Sequence, residues 1–403
     1  MKILVTDGNS RPALAICRSL GRKGYKVIVG HSAAYSLASA SKYCSEKCIY
    51  PDPATQPEEF IHFICDYIEY KKIDILFPVT DITTLPLAEN IKLLPSHCVL
   101  PFADFDSVKR AADKVGIIKL AQSLGVDVPE SQVISSVVDF DVTNTNFEYP
   151  VVIKPAKSRV MTDTGWLYTS VTYADSADDL TNQLNELDSR VFPVLIQERI
   201  HGPGLGIFMC YQHGKPVAAF SHKRIREKPP SGGVSVLRES IDLDPVALDY
   251  SERLLNELNW HGVAMVEFKV DMRDSSPKLM EINGRFWGSL QLAIDSGVDF
   301  PALLAQSVHS DIQPDYTYKS GVLSRWFWGD FDALLLRMIK NKNALQLPPD
   351  SPGKLSYFVD FIKLWRAGQH YEVLRISDIK PWLFETYQWL KSNIKRVLSR
   401  HVQ

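Results

Sequence analysis

The 403-residue sequence lacks an apolar run long enough to cross a membrane. A spanning helix needs about 20 consecutive apolar residues, and no segment approaches that length. The first ten residues, MKILVTDGNS, lead into a strand-like segment and a glycine turn instead of the apolar core of a signal peptide. The sequence therefore predicts neither a transmembrane segment nor a secretion signal, and we expect a cytoplasmic protein.

Cysteine pairs and excess charge are also missing. The six cysteines are scattered without a CxxC pair, which is typical of reduced thiols and predicts no disulfide framework. Cys44 and Cys48 could ligate a metal, but no second pair completes such a site. Lysine and arginine number 45, and aspartate and glutamate 47, so the net charge is only −2. Nothing in this balance indicates a nucleic-acid partner.

Glycine is too scarce in the first turn for a dinucleotide-binding fingerprint, since Gly8 stands alone there. Residues 2–6 and 26–30 have the pattern of buried strands, and residues 12–20 between them have that of a helix. Strand, helix and strand in such a short span predict a βαβ unit and hence a parallel sheet. The turn at Gly8 then shapes a loop over the cleft at the strand ends.

Asp81 stands just after a further buried strand, predicted over residues 73–79. Open α/β sheets bind ligands at the carboxyl ends of their strands, so this side chain could face a ligand. The position is also typical of a helix N-cap, and we favour the cap.

Carboxylates interrupt the apolar pattern of a predicted β-hairpin whose arms are residues 262–271 and 278–287. In the first arm, alternation puts Glu267 on one face together with Val263 and Met265. A carboxylate in apolar surroundings usually has a cation or a hydrogen-bond network as its partner, because an unpaired buried charge is costly.

The second arm adds a carboxylate and an amide. Alternation places Leu279, Glu281 and Asn283 on one face, with Met280 and Ile282 on the other. With no histidine or cysteine nearby, oxygen ligands favour a hard ion. The pattern predicts Mg²⁺, or alternatively Mn²⁺, on the two glutamates and Asn283. A half-exposed hairpin with solvated acids is the other interpretation.

Arg285 lies two positions beyond Asn283, where a guanidinium could neutralise a transferring phosphoryl group. An acid on one strand followed by Glu-x-Asn-x-Arg on the next resembles the metal and phosphate site of the ATP-grasp superfamily of ligases. Residues 288–301 (GSLQLAIDSGVDFP) resemble the helix and turn that follow this motif in members similar to carbamoyl phosphate synthetase. The resemblance implies that ATP binds at this hairpin.

Upstream segments resemble other ATP-grasp elements in the same order. Lys114 lies in a helix predicted over residues 104–124 with a break near Gly116. It resembles a lysine that reaches an ATP phosphate, with a solvated helix lysine as the alternative. Lys154 ends the apolar strand at residues 149–155 and resembles the second phosphate lysine.

The stretch Gln197-Glu198-Arg199-Ile200 resembles the hinge between the two ATP-grasp subdomains. The resemblance implies that Glu198 and the backbone at Ile200 hold the adenine, with Gln197 beside them. Two features depart from the superfamily. The segment at residues 156–165 is poor in glycine for a phosphate-covering loop, and Gly206 stands in a stretch where many members carry an acid for the ribose.

Residues 221–233 contain four lysines and arginines and a Gly-Gly turn. Alternation puts Arg224 and Arg226 on one strand face, with Lys223 and Ile225 on the other. The segment resembles one that lines the substrate side of the cleft in ATP-grasp ligases of the carboligase type. This implies a clamp of Arg224 and Arg226 on a carboxylate or acyl phosphate. A solvated strand edge is the alternative.

The C-terminal region lacks a strand signal and ends in a helix predicted over residues 381–397. An apolar stripe runs along this helix, with basic residues elsewhere. Packing of the stripe on the core is the favoured interpretation, and peripheral contact with a membrane is the alternative. The stripe consists of Trp382, Leu383, Tyr387, Leu390, Ile394 and Val397.

The predicted fold is α/β with an ATP-grasp core of the α+β kind. We expect a parallel N-terminal domain (1–100), a small or lid subdomain (101–192), a large subdomain with antiparallel strands (193–310) and a mostly helical C-terminal region (311–403).

The resemblance implies an ATP-dependent ligase that joins a small carboxylate to an amine, with a thiol as another acceptor class. An ATP-binding protein without chemistry and a kinase-like phosphotransferase are the alternatives. The identity of the substrates and the oligomeric state stay open.

Overall fold

The computed structural model describes residues 1–140, 147–156, 159–162, 165–230, 232–347 and 351–400. No helix among these residues combines the length and the apolar character that crossing a bilayer requires. All six cysteines are free thiols, and four of them are buried.

The N-terminal domain is built around a four-stranded parallel sheet in the order β3-β2-β1-β4, as the βαβ pattern predicts. Ser10 caps the first helix by accepting a hydrogen bond from the Ala13 amide, and Pro12 follows in the first turn. The strands are β1 Lys2–Val5, β2 Lys26–His31, β3 Cys44–Ile49 and β4 Ile75–Phe77, and the helices are α1 Arg11–Arg22, α2 Pro57–Lys71 and α3 Asp81–Glu89.

A second, antiparallel sheet has the order β5-β10-β6-β9. It continues to Glu198, beyond the division at residue 193 that the sequence suggests. A separate hairpin, β7–β8, follows β6. This part of the chain comprises α4 Phe105–Ala112, α5 Lys114–Ser123, β5 Ser131–Ile134, β6 Val151–Pro155, β7 Arg159–Thr162, β8 Gly165–Tyr168, β9 Thr172–Ala174, α6 Ala177–Glu186 and β10 Val194–Glu198.

The predicted helix over residues 104–124 is broken at Asp113, not at Gly116. Asp113 ends α4 and, as the N-cap of α5, accepts a hydrogen bond from the Val115 amide. A capping aspartate therefore starts a new helix with Lys114 at its first position.

The third sheet has seven strands in the order β15-β14-β11-β12-β13-β16-β17. Its two faces belong to different cores: Phe208 and Phe220 pack with the N-terminal domain, and Ile207 and Phe268 pack with residues from α4, α5 and α7. The elements are β11 Gly204–Gln212, β12 Lys215–Lys228, β13 Val234–Ser240, α7 Pro245–Glu257, β14 Gly262–Val270, β15 Pro277–Asn283, α8 Leu290–Ser296, α9 Phe300–Gln306, β16 Leu323–Arg325, α10 Phe327–Ile339, α11 Lys354–Phe361, β17 Gln369–Tyr371 and α12 Lys380–Arg400.

The C-terminal region supplies two strands that the sequence does not predict. Both are three residues long, and β16 pairs with β13 while β17 pairs in parallel with β16. Strands this short leave too little alternation to recognise in a sequence.

The predicted packing of the α12 stripe on the core is confirmed at Trp382 but is wrong for four of the residues that follow it. The side chains of Leu383, Tyr387, Leu390 and Ile394 are 47–60% exposed. The side chain of Val397 lies outside the described residues. Trp382, the first residue of the stripe, packs against the N-terminal core together with Phe384, which lies outside the stripe.

Candidate active site at the β14–β15 hairpin

The two predicted metal-binding carboxylates face each other across the hairpin. In the antiparallel register Glu267 lies opposite Glu281, and Met265 lies opposite Asn283. Opposed residues of paired strands point to the same face, so the structure brings Glu267, Glu281 and Asn283 together. Phe286, just beyond the hairpin, contacts Phe77 of β4 and so ties this end of the sheet to the N-terminal domain.

The rest of the predicted alternation in the second arm is wrong because the arm contains a β-bulge. The register slips at Met280, so Leu279 lies opposite Phe268 and both side chains belong to the opposite core. Leu279 is therefore not on the carboxylate face. The Met280 sulfur instead lies 3.9 Å from the Nζ atom of Lys154.

A chain of polar contacts leads from the carboxylates to the N-terminal domain. Asn283 Nδ2 donates to Glu281 Oε1 at 3.0 Å, and Arg285 Nη2 donates to Asn283 Oδ1 at 2.9 Å. The Nε atom of Arg285 lies 2.9 Å from Asp81 Oδ1. The favoured prediction for Asp81 is wrong, because Thr80 is the N-cap of α3 and Asp81 is the first residue of the helix. Its carboxylate faces the site.

Arg224 supplies a positive charge to the pair of glutamates. Its Nη2 atom lies 2.5 Å from Glu267 Oε2, and its Nη1 atom lies 2.9 Å from Glu227 Oε1. Burial raises the pKa of Glu267, Arg224 opposes that change, and the neighbouring charge of Glu281 raises the pKa further. Two carboxylates at close quarters in a largely buried place are typical of a cation site.

The predicted pairing of Arg224 with Arg226 on one strand face is wrong. The β12–β13 register slips at Ile225, so Arg224 lies opposite Arg238 and Arg226 lies opposite Leu237. Neighbouring residues of β13 point to opposite faces, and the two arginines diverge accordingly. Arg226 is buried and binds Asp330 through Nε at 2.7 Å and Nη2 at 2.5 Å, and its Nη1 atom contacts Asp360.

Lys154 points at the carboxylates from the small sheet. Its Nζ atom donates to Gln197 Oε1 at 2.6 Å. Burial lowers the pKa of Lys154 to about 8, although the charges of Glu281 and Glu267 act to raise it. Lys114 is also close enough to lower this pKa by its charge, so the two predicted phosphate lysines lie in one neighbourhood.

Sequence reasoning missed Lys269, which lies two positions after Glu267 on β14. Its Nζ atom donates to the Ile200 carbonyl at 3.3 Å, and burial lowers the pKa of its ammonium. Alternation alone places Lys269 on the Glu267 face, so the signal was present in the sequence.

The predicted adenine hinge is held by specific contacts. Glu198 accepts hydrogen bonds from the Glu130 amide at 2.9 Å and from Arg273 Nη2 at 2.8 Å. Gln197 donates to Ser131 Oγ at 2.9 Å, and Ile200 is buried. In this structure the Glu198 side chain therefore fixes the connection between the two sheets. In the predicted phosphate loop, Lys157 and Ser158 lie outside the described residues.

The donor set fits a hard divalent ion. Two facing carboxylates and one amide oxygen are ligands that Mg²⁺ prefers, with phosphate and water oxygens completing its shell. Among the described residues, no group of three or more histidine, cysteine, aspartate or glutamate side chains is placed to hold a metal ion. Glu267 and Glu281 with Asn283 would hold an ion that arrives with a phosphate ligand.

A family model described as ATP-grasp in the biosynthetic pathway with Ter operon matches residues 190–325. Residues 190–325 are thus similar to an ATP-grasp domain. The matched part includes the hinge, Arg224 and the β14–β15 hairpin, whereas Lys114 and Lys154 lie upstream of it.

Curated relatives match part of the chain. The carbamoyl phosphate synthase large chain of Thermotoga sp. (strain RQ2) is 26% identical over 190 residues, which are 46% of this chain and 16% of that protein. The N-terminal section of the large chain from Aquifex aeolicus (strain VF5) is 26% identical over 145 residues, 35% of this chain and 25% of that section. This chain thus corresponds to only a small part of each relative.

Solved structures share the ATP-grasp fold over most of the chain. An L-amino acid ligase from Bacillus licheniformis superposes with a TM-score of 0.60 at 16% identity, covering 77% of this chain and 75% of that one. An N5-carboxyaminoimidazole synthetase from Staphylococcus aureus, complexed with ADP, gives 0.61 at 14% identity and covers 80% of both chains.

Proposed function

We propose that the protein is an ATP-dependent ligase that activates a substrate carboxylate as an acyl phosphate and joins it to an amine, releasing ADP and phosphate. The observation that carries this proposal is the facing pair Glu267 and Glu281, with Lys154 on one side and Arg285 on the other. Such a site offers both a place for a phosphate-bound cation and positive charge around it.

The position of each residue in the site indicates its role. Lys154, Lys114 and Lys269 would bind phosphate oxygens, and Glu198 with the backbone at Ile200 would border the adenine. Mg²⁺ held by the two glutamates and Asn283 would neutralise charge on the phosphates. A carboxylate oxygen attacks the γ-phosphorus, the bond to the bridging oxygen breaks, and ADP leaves. The protein contributes mainly positioning and electrostatic stabilisation in such a transfer.

Arg285 would supply positive charge during phosphoryl transfer. Its guanidinium would stabilise the transferring phosphoryl group, and Arg224 would approach the substrate carboxylate from β12. The amine nitrogen then attacks the carbonyl carbon, the bond from that carbon to the phosphate oxygen breaks, and the amine loses a proton. Arg226 is too firmly bound to Asp330 to take part in this arrangement.

The decisive experiment measures Mg-ATP-dependent ADP release over a panel of carboxylic acids, with hydroxylamine as a small acceptor. Hydroxamate formation with one acid would establish the acyl phosphate and identify the first substrate. ADP release without a need for any amine would indicate a phosphotransferase instead. ATP binding without turnover for every acid would favour a protein that binds ATP without chemistry.

Glu281→Gln should lower turnover by about 100-fold or more, because the ion loses a charged ligand while the amide keeps the shape of the side chain. The matched control is Glu257→Gln, an exposed acid at the end of α7, which should keep wild-type activity. Both variants should retain the wild-type melting temperature within a few degrees. A folded Glu281→Gln protein with full activity would contradict the metal assignment.

A further inference from the structure

A cavity of about 720 Å³ opens beside Arg285, within the size range of small-molecule sites. It lies where the loop before α1, the start of α3 and the end of the hairpin meet α10 and α12. Because Arg285 and Asp81 line it, the cavity is continuous with the candidate active site. The resemblance to ATP-grasp ligases assigns no residue of α12 a role.

One wall of the cavity is aromatic. Trp326, Trp328 and Trp389 line it, and the last two stack with ring centroids 4.2 Å apart. Each indole N–H already has an acceptor: Trp326 donates to Glu385 at 2.8 Å, Trp328 to Thr386 at 3.0 Å and Trp389 to Asp332 at 2.8 Å. The Arg11 guanidinium lies 3.9 Å from the centre of the Trp326 ring, so the apolar wall of the cavity is chiefly the Trp328–Trp389 pair, which suits a flat apolar group.

The charged groups of the cavity are paired, with one exception. Arg285 pairs with Asp81, Arg11 pairs with Glu372 at 2.5 Å, and Asp332 pairs with Lys228. Glu385 receives the hydrogen bond from Trp326, but no lysine or arginine among the described residues forms an ion pair with it.

Burial, with a smaller contribution from the charge of Glu372, raises the pKa of Glu385 to about 7, and the hydrogen bond from Trp326 and the charges of Arg11 and Arg18 oppose this change. An unmatched carboxylate in such a place is stabilised by a cation from outside the chain. The cavity thus combines flat apolar walls with one acid that has no counter-ion.

We propose that this cavity binds the amine substrate, a primary ammonium compound carrying an aromatic group, with its ring against Trp328 and Trp389 and its ammonium at Glu385. The assignment of this ligand as a substrate rests on the proposed ligase function. The two arginines of the cavity already have carboxylate partners, so a second anion is disfavoured there. An ammonium beside indole rings is also favoured by the cation–π attraction.

The test is a calorimetric titration of the full chain with 2-phenylethylamine, with and without a non-hydrolysable Mg-ATP analogue. 2-Phenylethanol, which lacks the charge, and 3-phenylpropionate, which reverses it, serve as matched ligands. We expect 2-phenylethylamine to bind at least about tenfold more tightly than either. Glu385→Gln should weaken amine binding by about tenfold and leave 2-phenylethanol unaffected.

Glu385→Gln keeps an oxygen that can accept the Trp326 hydrogen bond, so the variant should fold. Trp389→Leu removes the stacked ring and should weaken binding of the amine and the alcohol alike. Glu257→Gln is the control for loss of one acid. Equal affinity for the amine and the alcohol, preference for the acid, or no binding in either nucleotide state would overturn the proposal.

Failure of this proposal is distinguishable from failure of the ligase function. Hydroxylamine needs no aromatic pocket, so Glu385→Gln should still form hydroxamate if the ligase function is right. Amine binding without hydroxamate formation from any acid would retain the pocket and reject the ligase. Hydroxamate formation without amine binding would retain the ligase function and reject the amine pocket.

Discussion

Lys154 holds a positive charge in a largely buried position, and its pKa near 8 makes that charge sensitive to pH. The ammonium predominates below this pKa, and the negative charge of a bound phosphate would raise the pKa back toward its usual value. Above about pH 8, nucleotide binding must therefore be coupled to proton uptake. We expect ATP affinity to fall as pH rises through this range, by at most about tenfold per pH unit.

Calorimetry of Mg-ATP binding between about pH 7 and pH 10 measures this dependence. Lys154→Met should bind weakly at every pH with a much flatter profile. The exposed Lys119→Met is the matched control and should keep the wild-type slope. A wild-type affinity that is independent of pH would show that Lys154 does not contact the phosphates.

At the residue scale, alternation predicted much of the site from sequence. Glu267, Glu281 and Asn283 share a face, and the contact of Arg285 with Asn283 follows from the same period. The predicted strand faces were wrong where a β-bulge adds a residue to one strand. Bulges at Met280 and Ile225 turned Leu279 and Arg226 to other faces, and no single residue type marks a bulge in a sequence.

The displaced Arg226 has a role of its own at the element scale. It joins β12 to α10 through Asp330, which also accepts a hydrogen bond from Arg325 at 2.7 Å. Arg226→Met should lower the free energy of unfolding by about 3 kcal/mol, because a buried carboxylate loses a partner.

Urea denaturation monitored by circular dichroism measures this loss. The control is Arg253→Met, whose partner Asp249 is exposed and whose removal should cost less than about 1 kcal/mol. Equal stability losses for the two variants would contradict a structural role for the Arg226–Asp330 pair.

The outward face of α12 is a second feature at this scale. An exposed apolar stripe accompanies five basic residues and a single acid, Glu385, along the helix. This combination favours binding to a membrane surface that contains anionic lipid. We expect the protein to sediment with anionic vesicles at low salt and to be released as salt rises.

Tyr387→Ser should reduce that cosedimentation, whereas Tyr70→Ser, at an exposed position on α2, should not. Equal binding to neutral and anionic vesicles would contradict the electrostatic part of the prediction. A protein that stays in the supernatant with both would contradict the apolar part as well.

At the scale of the whole molecule, the C-terminal segment is joined to the first helix by buried charge. Arg18 donates from Nε to Asp378 at 2.8 Å and from its other nitrogens to backbone carbonyls of the same segment. Burial raises the pKa of Asp378, but hydrogen bonds from Arg18, Lys42 and Ser41 outweigh burial and lower it overall. This contribution to stability is present above about pH 4 and is lost as pH falls further.

Asp378→Asn should therefore lower the free energy of unfolding at neutral pH by about 3 kcal/mol and by less in acid. Urea titrations at the two pH values test this, with the exposed Asp311→Asn as the control. A pH-independent stability difference would show that the charge of Asp378 is not the cause.

The large-scale order of the fold was predictable because long strands and helices carry strong periodicity. The parallel N-terminal sheet, α1 and the hairpin follow from the sequence in this way. The packing of the C-terminal region against the rest of the molecule was not predictable from the sequence. Strands β16 and β17, the Arg18–Asp378 pair and the cavity with Glu385 depend on contacts between residues far apart in sequence, which local patterns do not encode.

Arg18 and Asp378 are 360 residues apart in the sequence. During synthesis the arginine is therefore made well before its partner. At about 5–20 residues per second, the ribosome reaches the partner roughly 20–70 s after it has made the arginine. During this time Arg18 of the nascent N-terminal domain lacks both its carboxylate and the backbone carbonyls that it binds in the full chain. Translation speed and chaperone access should therefore influence the yield of this protein more than they would if the partner were encoded nearby.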